Sequence, residues 1–223
     1  MIPDLSDIFT RYEALRAEAD AIFAKVKHDL PQCVVCKEGC SDCCNALFDL
    51  SLVEAMYLNK LFVDTYPYGQ QRSDILERAA ESDRRLTKLK RDMYRATRDG
   101  KKTPEDVMKE VAHLRMRCPL LGDDDRCLFY AQRPITCRLY GVPTAIQGKG
   151  HVCGHSGFEK GKQYPTVHLD KIQERLHALS AEIKERCGSR FKELEEVYIP
   201  LSMTLLTKYD EQYLGIGPAA PEK

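Results

Sequence analysis

Cys36-Lys37-Glu38-Gly39-Cys40-Ser41-Asp42-Cys43-Cys44 is the stretch on which the reading of this chain turns. It sets four thiols in the spacing C-x3-C-x2-C-C, and Cys118, Cys127, Cys137 and Cys153 follow downstream. Core packing does not call for so much sulfur in one loop. Thiolate clusters suit zinc and iron–sulfur clusters, both of which accept tetrahedral sulfur coordination. The spacing matches neither the paired C-x2-C knuckles of many zinc sites nor the ferredoxin run C-x2-C-x2-C-x3-C. The chemistry points to metal binding on these eight cysteines; eight exceed the four that one cubane cluster needs, so either two centres exist or some of the cysteines are structural. An iron–sulfur cluster is the preferred occupant and zinc the alternative.

Working outward, the compartment decides how the cysteines are read. The chain has 223 residues and ten cysteines; Lys+Arg and Asp+Glu both total 34, for a formal net charge of +0. That balance gives no reason to expect nucleic acid or an anionic membrane surface as partner. No basic segment precedes an apolar run at the N-terminus, and the apolar stretches are too short and interrupted to span a bilayer. The expectation is a cytoplasmic protein without a membrane segment. In a reducing cytosol clustered cysteines bind metal or do redox chemistry more often than they form disulfides. A Cys43-Cys44 bridge would also strain the peptide between them. A protein partner or protein substrate stays open.

The flanks are helical, so the fold class is mainly α: an irregular cysteine-rich centre flanked by helices, with a helical-hairpin insertion. The whole of 1–223 is read as a single domain. In the N-terminal helix, 1–31, Ile8, Tyr12, Leu15, Ala19, Ile22, Val26 and Leu30 form a narrow apolar stripe, with Asp4 or Ser6 as cap and Pro31 as stop. The stripe suits packing on its own domain, or a coiled-coil partner. The cysteine-cluster core spans 33–165 and contains the insertion, 70–115. Ser51-Leu52-Val53-Glu54 reads as a capping box opening a helix that Tyr66-Pro67-Tyr68-Gly69 ends. In the insertion, Ile75, Leu76, Ala79, Leu86, Leu89 and Met93 keep helical spacing, Asp99-Gly100 breaks it, and Thr103-Pro104-Glu105-Asp106 restarts it. Periodicity vanishes over 117–165, where Cys127-Leu128-Phe129-Tyr130 could form a short strand and bound metal would supply order. Helices return over 166–217, first to Gly188 and then, through Phe191, Leu194 and Val197, as a shorter helix before Pro200. The tail from Pro218 is expected to fray.

Not every thiol is a candidate ligand. Cys187 continues an apolar helical stripe and reads as a small buried hydrophobe. Cys33 is either an alternative ligand or a spare thiol. His151-x-Cys153-x-His155 places its donors too close together to serve one ion easily, so the histidines are read as solvent-facing or supporting groups. Arg117, Arg133 and Arg138 flank the downstream cysteines and could offset sulfur charge, or simply form surface ion pairs. No G-x-G-x-x-G, P-loop or H-E-x-x-H is present, and no catalytic residue is identified.

These residues carry a resemblance. Cys36 to Cys44 with Ser51 to Glu54, then Cys118-Pro119-Leu120-Leu121, Cys127-Leu128-Phe129-Tyr130 and Arg133-Pro134-Ile135-Thr136-Cys137-Arg138, resemble the YkgJ-like cysteine-cluster family, also called CxxCxxCC. The signature spans residues 36–138 and leaves the flanking helices uncovered. The family's core is similar to that of flagellin lysine N-methylases, associated with a [4Fe-4S] cluster and S-adenosylmethionine. The resemblance implies an iron–sulfur protein, with S-adenosylmethionine-dependent methyl transfer to protein lysine as the specific version. An electron-transfer or redox-sensing protein, and a zinc-binding structural or interaction protein, are the alternatives. Cys36-x3-Cys40-x2-Cys43 also has the spacing of the radical S-adenosylmethionine loop. Cys44 and the lack of strand–helix alternation depart from that pattern.

Overall fold

Asp4 starts the first helix by accepting the Ser6 backbone N–H on its carboxylate at 3.0 Å. Helix α1 then runs Ser6–Asp29 and buries Ile8, Tyr12, Leu15, Ala19 and Val26. This computed structural model describes residues 1–37, 39–159 and 161–217. Most of the α1 stripe is covered by the chain's own helices: α2 (Leu52–Thr65), α5 (Ile135–Leu139) and α6 (Leu169–Cys187). Packing on its own chain therefore consumes the face that a coiled-coil partner would have needed.

Ser51 opens α2 through the expected capping box with Glu54. Helix α2 is apolar nearly all round and buries Leu52, Val53, Ala55, Met56, Tyr57, Leu58 and Phe62, which makes it the central helix of the core. The insertion forms α3 (Gln70–Arg98) and α4 (Pro104–His113). Asp99 and Gly100 separate them, and the Thr103 hydroxyl accepts the Asp106 N–H at 3.1 Å to restart the helix. Ile75, Ala79, Leu86 and Met93 are the buried side of α3, which packs on α7 (Leu201–Leu206). Helix α6 closes at Gly188, whose φ of 58° is the left-handed cap that glycine adopts without a Cβ penalty.

Small strands tie distant segments together. β1 (Asp49–Leu50) pairs antiparallel with β5 (Ile199–Pro200), joining the start of α2 to the start of α7. β2 (Thr144–Ile146) and β3 (Lys149–His151) form a hairpin, and β4 (Val167–His168) adds parallel to β2, in the order β3-β2-β4. Among the described residues no helix is long and apolar enough to cross a membrane.

Three expectations change. The proposed strand at 127–130 reduces to one bridge, Leu121 to Cys127, followed by a 3-10 turn at Tyr130–Gln132. The shorter helix before Pro200 is only a 3-10 turn at Leu194–Glu196; Phe191 and Val197 remain exposed, so no apolar face exists to stabilise more. Pro200 closes β5 and is the N-cap of α7, with a φ of −54° and an extended ψ of 146°. The segment 117–165, read as mostly irregular, also contains α5 and the β2–β3 hairpin. The tail from Pro218 lies outside the described residues.

Candidate metal centre

Two loops meet edge to edge. In the first, Cys40 N–H donates to the Lys37 carbonyl at 3.0 Å and Cys44 N–H to Ser41 at 3.0 Å, which winds Asp42–Asn45 into a 3-10 turn. Ala46 bridges to Arg115, Met116 N–H donates to the Asn45 carbonyl at 2.9 Å, and Cys118 N–H to the Cys44 carbonyl at 2.7 Å. This backbone seam brings the downstream cysteines against the opening cluster. Leu128 N–H to Leu120 O at 2.9 Å folds the Cys118–Cys127 loop on itself. Cys137 rides on α5. Cys153 follows β3 and is held by the Ser156 N–H on its carbonyl at 3.0 Å.

Glu54 fixes where α5 sits. Its buried carboxylate caps α2 and reaches across to accept the Ile135 N–H at 3.3 Å, at the start of α5, and the Tyr12 hydroxyl at 3.3 Å from α1. One residue of a helix cap thus positions the element that bears Cys137. Burial raises the Glu54 carboxyl above its ordinary value, against the pull of these donors.

Cys36, Cys40, Cys43, Cys137 and Cys153 line one chamber of about 220 Å³, with Phe23 and Lys27 of α1, Asp42, Tyr130, Arg133 and Gly141. Gly141 is required by space: a Cβ there would lie 2.3 Å from Cys36 Sγ and 3.3 Å from Phe23. Cys44, Cys118 and Cys127 stand behind this wall. The Cys44 thiol couples electrostatically to Cys127 and to Cys43, which raises it. Among the described residues no three His, Cys, Asp or Glu side chains converge on a single ion position.

The electrostatics follow from that crowding. Burial, then the neighbouring Cys40, Cys153 and Cys43, pushes the Cys36 thiol up to about 11. Burial pushes Cys118 up to about 12, and raises Cys137 well above the ordinary thiol value. The interaction with Cys44 brings Cys43 down to about 7 and also lowers Cys127, while Cys44 itself is raised. So many thiols cannot ionise together without added positive charge, and a metal supplies it.

The structure separates three arginines that sequence left equivalent. Arg117 donates to the Gly122 carbonyl at 2.6 Å and pairs with Asp125, so it shapes the Cys118–Cys127 loop. Arg138 is buried, donates to the Arg133 carbonyl at 2.7 Å and to Ala131, and pairs with Asp20. Arg138 also lines the cysteine chamber, with its guanidinium taken up by these oxygen partners. Arg133 faces the chamber, stacked 3.7 Å from the Tyr130 ring centroid, and its charge favours the thiolates of Cys36, Cys43, Cys127 and Cys137.

The histidines are not inside. His151 is exposed, and His155 lies outside with its Nε2 3.5 Å from Asp42. Cys33 and Cys187 are packed in the apolar core away from the chamber, and all ten cysteines are free. Asp42 is the residue the sequence reading passed over. It pairs with Arg115 and accepts the Cys153 thiol at 3.4 Å. Burial would raise its carboxyl, but the hydrogen bonds from Arg115 and Cys153 outweigh that and hold it low. Its place between Cys40 and Cys43 was the available signal.

Comparison with protein-family models finds one that covers residues 35–154, more than half of the chain: CxxCxxCC, described as "Putative zinc- or iron-chelating domain". No curated protein and no solved structure matches the chain.

Proposed function

The chain belongs to the CxxCxxCC family of zinc- or iron-chelating domains, and on that premise we propose that it is an iron–sulfur protein. The observation that carries the reading is that two distant loops bring five cysteines to one chamber, with Cys44 and Cys118 joined in the backbone seam behind it. Tetrahedral zinc with Zn–S bonds near 2.3 Å draws its sulfurs to within roughly 3.8 Å of one another. Eight thiols exceed the four that a single zinc takes, and the preference for iron and sulfide follows from the resemblance that the cysteine segments carry. When bound, a [4Fe-4S] cluster supplies one-electron redox chemistry and, at an iron lacking a cysteine, a binding place for a small molecule.

The protein's own residues prepare that role. Cys36, Cys40, Cys43 and Cys44 come from the first loop, and Cys118, Cys127, Cys137 and Cys153 from the second. Gly141 leaves room for the Cys36 sulfur, and Arg133 sets a fixed positive charge among the thiolates. Glu54 holds α5 so that Cys137 faces the others. The narrower reading, S-adenosylmethionine-dependent methyl transfer to a protein lysine, draws support from the chamber opening beside Cys36, Cys40 and Cys43.

Anaerobic reconstitution with ferrous iron and sulfide tests the general reading: a thiolate-to-iron absorbance band should appear, and be lost when Cys43 and Cys137 are both replaced by serine. Protein that takes up zinc but forms no such band would reject it. For methyl transfer, S-adenosylmethionine should perturb the paramagnetic resonance of the reduced cluster. An unchanged spectrum leaves an electron-transfer or redox-sensing role, which a reversible potential would then identify.

A further inference from the structure

The adjacent pair Cys43-Cys44 divides the sulfurs. Both lie in the 3-10 turn Asp42–Asn45, and with three residues per turn successive side chains leave it roughly 120° apart. Cys43 accordingly faces the chamber beside Cys36, Cys40 and Cys153. Cys44 does not line the chamber, and its carbonyl accepts the Cys118 N–H at 2.7 Å on the side of the second loop. Two sets of thiols lie back to back across one turn.

We infer that the eight cysteines make two metal centres: an outer one on Cys36, Cys40, Cys43 and Cys153, and an inner one on Cys44, Cys118, Cys127 and Cys137. This rests on the metal-binding reading above and adds how the ligands are shared out. A four-iron cluster takes four thiolates and a structural zinc takes four, so eight match two centres of either kind. Cys137 stands on the dividing wall. It lines the chamber with the outer four, while Cys44, Cys118 and Cys127 do not and lack a fourth thiol for a four-ligand centre, which assigns it inward.

The two sets differ in how they are held. The inner cysteines are bound into the backbone seam between the loops and into α5. The outer ones border an open chamber, and Cys153 is steadied by Asp42. The inner centre is therefore the one that knits the two loops together, and the outer centre is the one that solutes reach. A single centre would leave at least four thiols clustered and uncompensated. That differs from the fate of Cys33 and Cys187, which are dispersed in the apolar core as small hydrophobes.

The test is native mass spectrometry of the full chain, purified anaerobically, alongside iron, sulfide and zinc analysis. Wild type should carry the mass of two centres. The pairs Cys36→Ser/Cys40→Ser and Cys118→Ser/Cys127→Ser should each lose one centre and keep the other, and a chelator should strip the outer centre first. One centre in the wild type, or complete metal loss from both pairs with helical circular dichroism intact, overturns the division. Where a pair fails to fold, the wild-type mass alone decides. Two zinc ions without sulfide would uphold the division while rejecting the iron–sulfur reading. One [4Fe-4S] cluster would do the reverse, and metal-free wild type rejects both.

Discussion

Gly141→Ala adds one methyl group at the point where the helix-bearing loop touches a proposed ligand. The new Cβ would lie 2.3 Å from Cys36 Sγ, 3.1 Å from Cys36 Cβ and 3.3 Å from Phe23 Cε2. The first distance is impossible for carbon and sulfur, so Cys36 must rotate or the 141 backbone must retreat. Rotation is the easier movement because Cys36 turns about a single side-chain bond. It takes the sulfur out of the chamber wall. Backbone retreat is overpacking, costing about 1–3 kcal/mol, which in a chain of this size lowers Tm by roughly 2–12 °C. Gly154→Ala is the control: it neighbours Cys153, yet nothing lies within 4 Å of its added Cβ. Thermal unfolding of both metal-free variants, and metal content after identical anaerobic reconstitution, measure the two effects. Gly141→Ala should lose metal, stability or both, and Gly154→Ala should match wild type. A Gly141→Ala protein equal to wild type in both measurements would refute the placement of Cys36 against this loop.

Further outcomes follow from the polar framework. Glu54→Ala leaves the Ile135 and Ser51 N–H groups and the Tyr12 hydroxyl without their shared acceptor. It should lower stability by about 3 kcal/mol in chemical denaturation, and an unchanged midpoint would remove Glu54 from its role in seating α5. Because burial raises the Glu54 carboxyl, the folded state holds its proton more tightly than the unfolded state. Its contribution is then full below the unfolded-state value and fades as pH rises through the folded-state one; Glu54→Gln should flatten that part of the metal-free stability profile, and an unaltered slope would contradict the assignment. Arg138→Ala should destabilise by about 2–3 kcal/mol, since the buried guanidinium satisfies two loop carbonyls and Asp20. Arg133→Ala should leave unfolding nearly unchanged and weaken metal retention; the opposite pattern in the two variants would reverse their roles. Metal binding should release protons from thiols such as Cys36, held up at about 11. Apparent affinity should therefore rise with pH, and a pH-independent affinity would show that the titrated thiols are not ligands.

The long helices were legible because each repeats an apolar face over several turns, and α1, α2, α3 and α6 bury the residues that the repeat singles out. The capping box at Ser51 and the helix restart at Thr103 were legible because their partners lie three residues away. What escaped the sequence has two physical causes. Some elements are too short to show a period: α5 has five residues and the strands two or three. Pro134 before Ile135, and Gly148 with a φ of 75° in the β2–β3 turn, were the local signals present. Other features depend on contacts remote in sequence. Glu54 meets a backbone group 81 residues away, and Arg115 meets Asp42 from 73 residues away. Gly141 looks like any loop glycine until Cys36 is placed beside it. Within the site, cysteine spacing suggested the eight thiols, but nothing local could show that Cys43 and Cys44 face opposite sides, or that Arg133 differs from Arg117 and Arg138.

The most direct test of the central claim is the metal content of the full chain isolated from cells without exposure to oxygen. The account predicts iron and acid-labile sulfide in equal amounts, with both lost when Cys43 and Cys137 are replaced together by serine. Stoichiometric zinc without iron or sulfide, or a folded protein without bound metal, would contradict it.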